Sequence, residues 1–153
     1  MSTQNSSPDL TQRPPRSPRV RLGGYVLLPR ILDKGRAALV GKLGEFHFEG
    51  KGMDRHFFNF VGLDHEALKA QLAKGSGDGE LLEWINASAK TPRQPWEISA
   101  WSNYREHRTP DSDAETFAFF AEKVGNLTTT REDIRTWFDL LDIDDHCTFG
   151  GKA

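Results

Sequence analysis

The 153-residue sequence has a single cysteine, Cys147, so it can form no internal disulfide and does not need an oxidising compartment for its stability. No stretch approaches the roughly 20 consecutive apolar residues that a transmembrane helix requires. The first residues lack the order of basic, apolar and small residues that is typical of a secretory signal. Together these absences predict a cytoplasmic protein that does not associate with a membrane.

The recognised catalytic motifs are also missing. The sequence contains no Gly-x-Ser-x-Gly nucleophile elbow, no His-Glu-x-x-His zinc motif and no Gly-x-Gly-x-x-Gly dinucleotide fingerprint. The glycine-rich stretch over residues 74–79 lacks the Gly-Lys-Ser/Thr ending of a phosphate-binding loop, and we interpret it as a connection between two helices. These absences favour a non-catalytic binding or interaction module, with no cofactor predicted.

Charge is distributed unevenly along the chain, although the net charge is only −2. Residues 1–36 carry +5, residues 37–110 carry −1 and residues 111–153 carry −6. This gradient favours intramolecular docking of a basic N-terminal arm on the acidic C-terminal segment around Asp142, Asp144 and Asp145. An acidic protein partner for the arm is the alternative, and the weakly acidic isoelectric point argues against a nucleic-acid partner.

The order of sequence patterns predicts one domain with a short tail. Residues 1–8 are polar and predict a flexible N-terminus. Residues 9–24 are rich in proline and arginine and predict an extended arm, which belongs to a single helical domain over residues 9–153. Ten Phe and four Trp supply large apolar side chains for its core.

Apolar residues at helical spacing predict a mainly α fold, an irregular bundle of six or seven short helices. The first begins at Pro29, and later ones end at Gly62, begin after Asp64, open at Asp78 or Gly79, and restart at Pro95. Two further core helices are predicted from capping-box spacing, Ser112 to Glu115 and Thr130 to Asp133, each followed by an apolar periodic run.

One segment departs from the helical period. Phe46 and Phe48 alternate with Glu45, His47 and Glu49, which predicts a short half-buried strand in a small β-ribbon. The three polar residues are weak candidates for a metal site, because histidine and carboxylates suit several divalent metals. Alternation alone also places polar residues on the solvated side of a strand, and we favour that interpretation with no metal.

A second class of function, a small-molecule-binding protein or an enzyme, would use a polar pocket with aromatic walls. The candidate ligand-binding residues are four charged residues on one predicted helix and three aromatic residues on another: Arg30, Asp33, Lys34, Arg36, Trp96, Trp101 and Tyr104. The charged residues occupy adjoining helical turns, where they could bind a ligand or pair with one another, and the aromatic residues also suit a plain core.

Several blocks in a fixed order resemble a bacterial family known as domain of unknown function family 5069. They are Leu22-Gly-Gly-Tyr25, Leu28-Pro-Arg30, Asp33-Lys34 with Arg36, Gly44-Glu45, Gly77-Asp-Gly-Glu-Leu-Leu-Glu-Trp-Ile85, Pro95-Trp-Glu-Ile98 with Ala100-Trp-Ser102, and Asp133-Ile134 through Asp142 with Phe149-Gly-Gly151. The resemblance extends from Asp9 to Ala153. It implies that the arginine arm belongs to the domain, and it implies no activity, cofactor or catalytic residue.

Overall fold

The computed structural model describes residues 7–111 and 113–153, and these residues form seven helices in a mainly α fold, as predicted. The helices are α1 (Leu28–Leu39), α2 (Asp54–Val61), α3 (His65–Leu72), α4 (Asp78–Ser88), α5 (Pro95–Glu106), α6 (Ala114–Leu127) and α7 (Trp137–Thr148). No helix within the described ranges is both long and apolar enough to span a membrane. The predicted flexible N-terminus falls largely on residues 1–6, which lie outside the described residues, and Pro8 is buried.

Helix α1 lies at the centre of the core. Pro29 occupies its first turn, where a missing N–H leaves no hydrogen bond unmade. Leu28, Ile31 and Leu32 are fully buried. They belong to one apolar cluster with side chains from five other helices, among them Phe57, Phe58, Val61, Leu68, Leu72, Leu81, Ile85, Ile98 and Phe138.

Most predicted helix ends are confirmed, because their residues make the expected caps. Gly62 ends α2 in the left-handed conformation with φ 66°, and Asp64 caps α3 by accepting a hydrogen bond from the Glu66 N–H. Pro95 begins α5 and Asp78 begins α4. The spacing of turn residues therefore predicted where these helices start and stop.

The predicted capping box at Thr130 and Asp133 is wrong. Asp133 pairs with Arg131 at 2.6 Å, and the chain stays irregular until Thr136. Thr136 accepts a hydrogen bond from the Asp139 N–H, and Asp139 accepts one from the Thr136 N–H, so these two residues form the box that begins α7. Helix α6 is capped by Asp113, and the predicted cap Ser112 lies outside the described residues.

The predicted strand at residues 45–49 is also wrong, since the described residues contain no strand and only one isolated bridge, between Leu22 and Tyr25. The predicted alternation of burial is nevertheless present, with Phe48 buried and the neighbouring polar side chains exposed. Phe48 packs edge-on against Phe58, and Phe46 stacks on Phe149. The segment is therefore held by its aromatic side chains rather than by a backbone ladder.

Helix α6 is not the core helix that its apolar period predicted. Phe120 is its one buried apolar side chain, whereas Phe117 and Phe119 are about half exposed. Phe120 meets Trp137 of α7 edge-on, with ring centroids 5.1 Å apart. Because α6 packs on α7 and contributes nothing to the central cluster, its apolar stripe is only partly covered.

The arm over residues 9–24 contacts several helices. Arg19 forms ion pairs with Asp139 and Asp142 of α7, and Ser17 donates a hydrogen bond to Asp142 at 2.7 Å. Arg16 lies against α1 and α4, and Arg21 pairs with Glu106 of α5 at 3.1 Å. The basic residues of the arm are thus distributed over four helices, and α7 receives one of them.

We expect deletion of residues 1–22 to lower the thermal midpoint by more than about 5 °C, because it removes a buried leucine, Leu10, together with the pairing of Arg16 and Arg19. Differential scanning calorimetry measures the change. Arg19→Gln, which keeps the arm and removes only its α7 contacts, should lower the midpoint by less. An unchanged midpoint in the truncated chain would show that the arm does not stabilise the domain.

Gly35→Ala should destabilise the protein by about 1–2 kcal/mol, although alanine is the better helix former. A Cβ at Gly35 would collide with the buried side chain of Leu72 and lie 3.2 Å from Phe48. Gly125→Ala is the matched control: Gly125 is also helical, has no neighbour within 4 Å of that position, and should gain up to about 1 kcal/mol. Urea unfolding measures the change in the free energy of unfolding for each variant. A change of the same sign in both variants would contradict the packing argument.

Candidate functional site

A cavity of about 400 Å³ opens between α1, α7 and the irregular segment over residues 45–53, and we name it the α1–α7 cavity. Its apolar walls come from Leu27, Phe46, Met53 and Leu141. Its floor consists of four charged side chains, and its rim consists of further carboxylates, a histidine and one lysine, Lys51. Apolar walls with a few convergent polar groups are typical of small-molecule sites.

The first half of the floor is the ion pair between Arg30 of α1 and Asp145 of α7. The Nη1 atom of Arg30 lies 2.7 Å from one carboxylate oxygen, and Nη2 lies 3.1 Å from the other, so the pair is bidentate. Arg30 also donates a hydrogen bond to the backbone carbonyl of Arg16 at 3.2 Å. Both partners are buried, and this pair holds α7 and the arm against α1.

The second half of the floor is the ion pair between Lys34 of α1 and Asp54 in the first turn of α2. Lys34 follows Arg30 by four residues, so one helical turn carries both cations on the same face. Lys34 and Asp54 are both buried. Burying such pairs costs desolvation free energy that apolar residues of similar size would avoid, which makes a functional role worth testing.

The cavity also contains the strained backbone of Leu27, which has φ 70°. It is the one non-glycine residue of the described chain with a positive φ. Its N–H donates to the carbonyl of Pro18 at 2.9 Å and its carbonyl accepts from the Ile31 N–H, so it joins the arm to the start of α1. Such a conformation costs on the order of 1–3 kcal/mol and is enriched at functional sites.

The rim of the cavity is acidic. Glu45, Glu49 and Asp144 are exposed there beside His47. Glu49 lies 3.6 Å from Lys51, whereas Glu45 and Asp144 form no ion pair within residues 7–111 and 113–153. Since the floor cations are each matched by a floor carboxylate, the cavity as a whole has an excess of negative charge.

The predicted weak metal candidates Glu45, His47 and Glu49 all reach this rim. They do not converge, because the described part of the chain holds no group of three or more His, Cys, Asp or Glu side chains arranged for a metal ion.

The predicted charged residues divide between two sides of α1. Arg30 and Lys34 face the α1–α7 cavity, whereas Asp33 and Arg36 line a second cavity of about 540 Å³ beneath the arm. There Asp33 pairs with Arg16 at 3.0 Å, and Arg36 pairs with Asp78 at 2.8 Å. The four charged residues of α1 thus each pair with a residue of another segment and not with one another, so the self-pairing that their helical spacing would allow is not formed.

The pKa of Asp78 reflects this pairing. Burial acts to raise it, but hydrogen bonds from Arg16 and Arg36 outweigh burial and hold the pKa of the Asp78 carboxyl below its ordinary value. Asp78 is therefore ionised at neutral pH and neutralises the arginines around it. In the cavity beneath the arm, Asp33 and Asp78 thus balance Arg16 and Arg36, and Arg13, which also lines this cavity, adds one further positive charge.

The predicted aromatic residues line neither of these cavities. Trp96 is 72% exposed and Tyr104 is 54% exposed, both on the surface of α5. Trp101 stacks on Phe60 with ring centroids 4.9 Å apart and lies edge-on to Tyr25, so it packs against the core. The structure therefore does not join the charged and aromatic candidates in one pocket.

The described residues thus form a mainly α fold with a cavity lined by two buried ion pairs. Residues 12–147 match the model of the family described as Domain of unknown function (DUF5069). The match covers most of the chain, and the protein belongs to this family. No curated protein matches the sequence significantly.

Arg30→Met should destabilise the protein by about 3–5 kcal/mol, because it leaves Asp145 charged and buried without a partner. The double variant Arg30→Met/Asp145→Leu should recover most of that loss. Guanidinium unfolding of Arg30→Met, Asp145→Leu and the double variant gives the coupling free energy between the two residues. Arg131→Met, which breaks an exposed pair with Asp133, is the control and should cost no more than about 1 kcal/mol. A double variant as unstable as Arg30→Met would contradict this account of the pair.

Proposed function

We propose that the protein is a non-catalytic binding protein that holds a small organic cation in the α1–α7 cavity. The observation that carries this proposal is the acidic rim, Glu45 and Asp144, above a floor whose own cations are already paired. A ligand with a primary amine or a guanidinium would supply the missing positive charge. A carboxylate or phosphate ligand would instead meet an excess of like charge.

Electrostatics supports this choice of ligand. Asp145 satisfies Arg30 through two hydrogen bonds and Asp54 satisfies Lys34, so neither cation is free to bind an anion. Of the rim carboxylates, Glu49 pairs with Lys51, whereas Glu45 and Asp144 have no ion-pair partner among the described residues. A cavity wall of low polarity strengthens the attraction of these two for a cation compared with bulk water. The net effect is a preference for positively charged ligands.

The apolar walls support a ligand with an apolar body. Phe46, Met53 and Leu141 surround the space between rim and floor. Burial of a ligand against them contributes about 25 cal/mol per Å² of apolar surface, and the charged rim orients its polar end. A volume of about 400 Å³ accommodates a molecule of the size of a single ring with a short chain.

Binding without chemistry is part of this proposal. The floor groups that could transfer a proton or attack a substrate, Lys34 and Asp54, are bound to each other. The ion pairs then act as a rigid base that places the apolar walls and the rim. The alternative of an enzyme would require one of these pairs to open during turnover.

We propose the bacterial cytoplasm as the location of the protein. Support comes from the lone Cys147, a free thiol that no disulfide within the chain could protect, and from the resemblance to a bacterial family. Retention in the soluble cytoplasmic fraction after cell fractionation would agree with this proposal, and recovery from the periplasm would contradict it.

A matched ligand series tests the proposed function. Benzylamine, benzyl alcohol and benzoate share one ring and differ in charge, so thermal midpoints in their presence separate charge from size. We expect benzylamine to raise the midpoint in a saturable way and the other two to have much smaller effects, because a ligand that binds only the native state stabilises it. A 5-carbon diamine and an amino sugar extend the series to other cations.

Two variants locate the binding. Glu45→Gln/Asp144→Asn removes the two rim charges that have no ion-pair partner among the described residues and leaves the ion pairs intact, and it should weaken benzylamine binding about tenfold by calorimetry. Glu122→Gln, an exposed change on α6, should leave binding unchanged. Stronger binding of benzoate than of benzylamine, or equal affinity in the rim variant, would overturn the proposal.

A further inference from the structure

Three arginines and one histidine lie on α2 and at the end of α5, two helices that pack against each other where Phe60 stacks on Trp101, away from the α1–α7 cavity. Arg55 and His56 lie in the first turns of α2, Arg105 lies in the last turn of α5, and Arg108 follows that helix. Each of the three positive charges acts on His56. We name Arg55, Arg105 and Arg108 the arginine cluster; none of its members lines the α1–α7 cavity.

The cluster contains an unsatisfied donor. Within the described ranges, the Nε atom of Arg105 is the one buried side-chain nitrogen or oxygen without a hydrogen-bond partner. A buried unpaired donor on a charged group has lost its hydrogen bonds to water without gaining others, so it needs an explanation. One explanation is that a bound ligand supplies the hydrogen-bond acceptor for Arg105 Nε.

The cluster has too little negative charge to balance it. Asp111 pairs with Arg108 at 2.8 Å and is about half exposed. Arg55 donates to the backbone carbonyl of Gly52 at 2.9 Å, which is a neutral partner. Three cations are therefore accompanied by one carboxylate, and Arg55 and Arg105 form no ion pair among the described residues.

Electrostatic effects on neighbouring groups agree with this imbalance. Burial, with the charges of Arg105, Arg55 and Arg108, lowers the pKa of His56 to about 4, so His56 is neutral at neutral pH. Burial also lowers the pKa of Arg105, opposed by Tyr104, and the charges of Arg108 and Arg55 lower it further. An anion bound at the cluster would oppose the positive charges that lower the pKa of both groups.

Tyr104 places two of the guanidiniums. The central carbon of Arg105 lies 4.6 Å from the centre of the Tyr104 ring, and that of Arg108 lies 5.2 Å away. Cation–π contacts of this kind reduce the freedom of long side chains. The cluster is thus partly organised before any ligand arrives.

We propose that the arginine cluster is a binding site for a phosphate group, formed by Arg55, Arg105 and Arg108 around His56. Guanidiniums match the oxygens of a phosphate in a fork geometry and keep their charge at all physiological pH values. A dianion balances the cluster better than a single carboxylate would, and it supplies the acceptor that Arg105 Nε lacks. The phosphate is either inorganic phosphate or the phosphate of a small ester.

Histidine NMR tests the site directly. The pKa of His56 is measured from its ring-proton shifts in chloride and in inorganic phosphate at equal ionic strength. Bound phosphate should raise this pKa towards its ordinary value, because its negative charge opposes the three arginines. A parallel series with glycerol phosphate separates the two sources: tighter binding of the ester would show that the site reads more than the phosphate.

Variants assign the effect to the cluster. Arg105→Gln should raise the pKa of His56 even in chloride, since one repelling charge is gone, and should weaken phosphate binding about tenfold. Arg105→Lys keeps the charge and should lose much of the affinity but little of the electrostatic effect on His56. Arg131→Gln, at an exposed pair elsewhere, is the control and should change neither.

Two results would overturn the proposal. One is an identical His56 titration in phosphate and in chloride. The other is phosphate binding that Arg105→Gln leaves intact, because the anion would then lie elsewhere. Proton–nitrogen correlation spectra of each variant check that the fold is retained, so that lost binding cannot be confused with unfolding.

Discussion

Two buried ion pairs, Arg30–Asp145 and Lys34–Asp54, join α1 to α7 and to α2. These pairs stabilise the position of α1, because one side of this helix is apolar and lies in the core. Its other side carries charges that would be unstable without these carboxylates. The α1–α7 cavity lies between α1, α7 and the segment over residues 45–53, and the side chains of both pairs line it. The floor residues of the cavity therefore hold the helices together, and only the rim residues can adjust to a ligand.

The arm participates in the same arrangement. The carbonyl of Arg16 accepts a hydrogen bond from Arg30, and the carbonyl of Pro18 accepts one from the strained Leu27. These contacts involve backbone atoms, so the path of the arm matters there more than its side chains. The arginine side chains of the arm, in contrast, bind carboxylates on α1, α4, α5 and α7. A segment with no regular structure thereby fixes the orientation of several helices.

Local signals in the sequence were enough to predict most helices, because Pro29, Gly62, Asp64 and Pro95 act on their own turns. The start of α7 was predicted wrongly because Asp133 forms an ion pair with Arg131 instead of capping the helix. The spacing of residues does not show which of these two contacts forms. Of the buried charged residues that line the cavity, Arg30 and Lys34 were named from the sequence, whereas Asp54, the partner of Lys34, was not recognised. Asp54 precedes Phe57, Phe58 and Val61 at core spacing, and a charge at such a position is the signal that could have identified it.

The pairing of Arg19 with Asp142 joins residues 123 positions apart, and that of Arg30 with Asp145 joins residues 115 apart. During synthesis the arm and α1 emerge early, but neither can complete these contacts until α7 has also been made. Local helices can form before then, whereas closure of such long loops carries an entropic cost that only the assembled core offsets. The cavity is therefore a late product of folding, formed when the two ends of the domain meet.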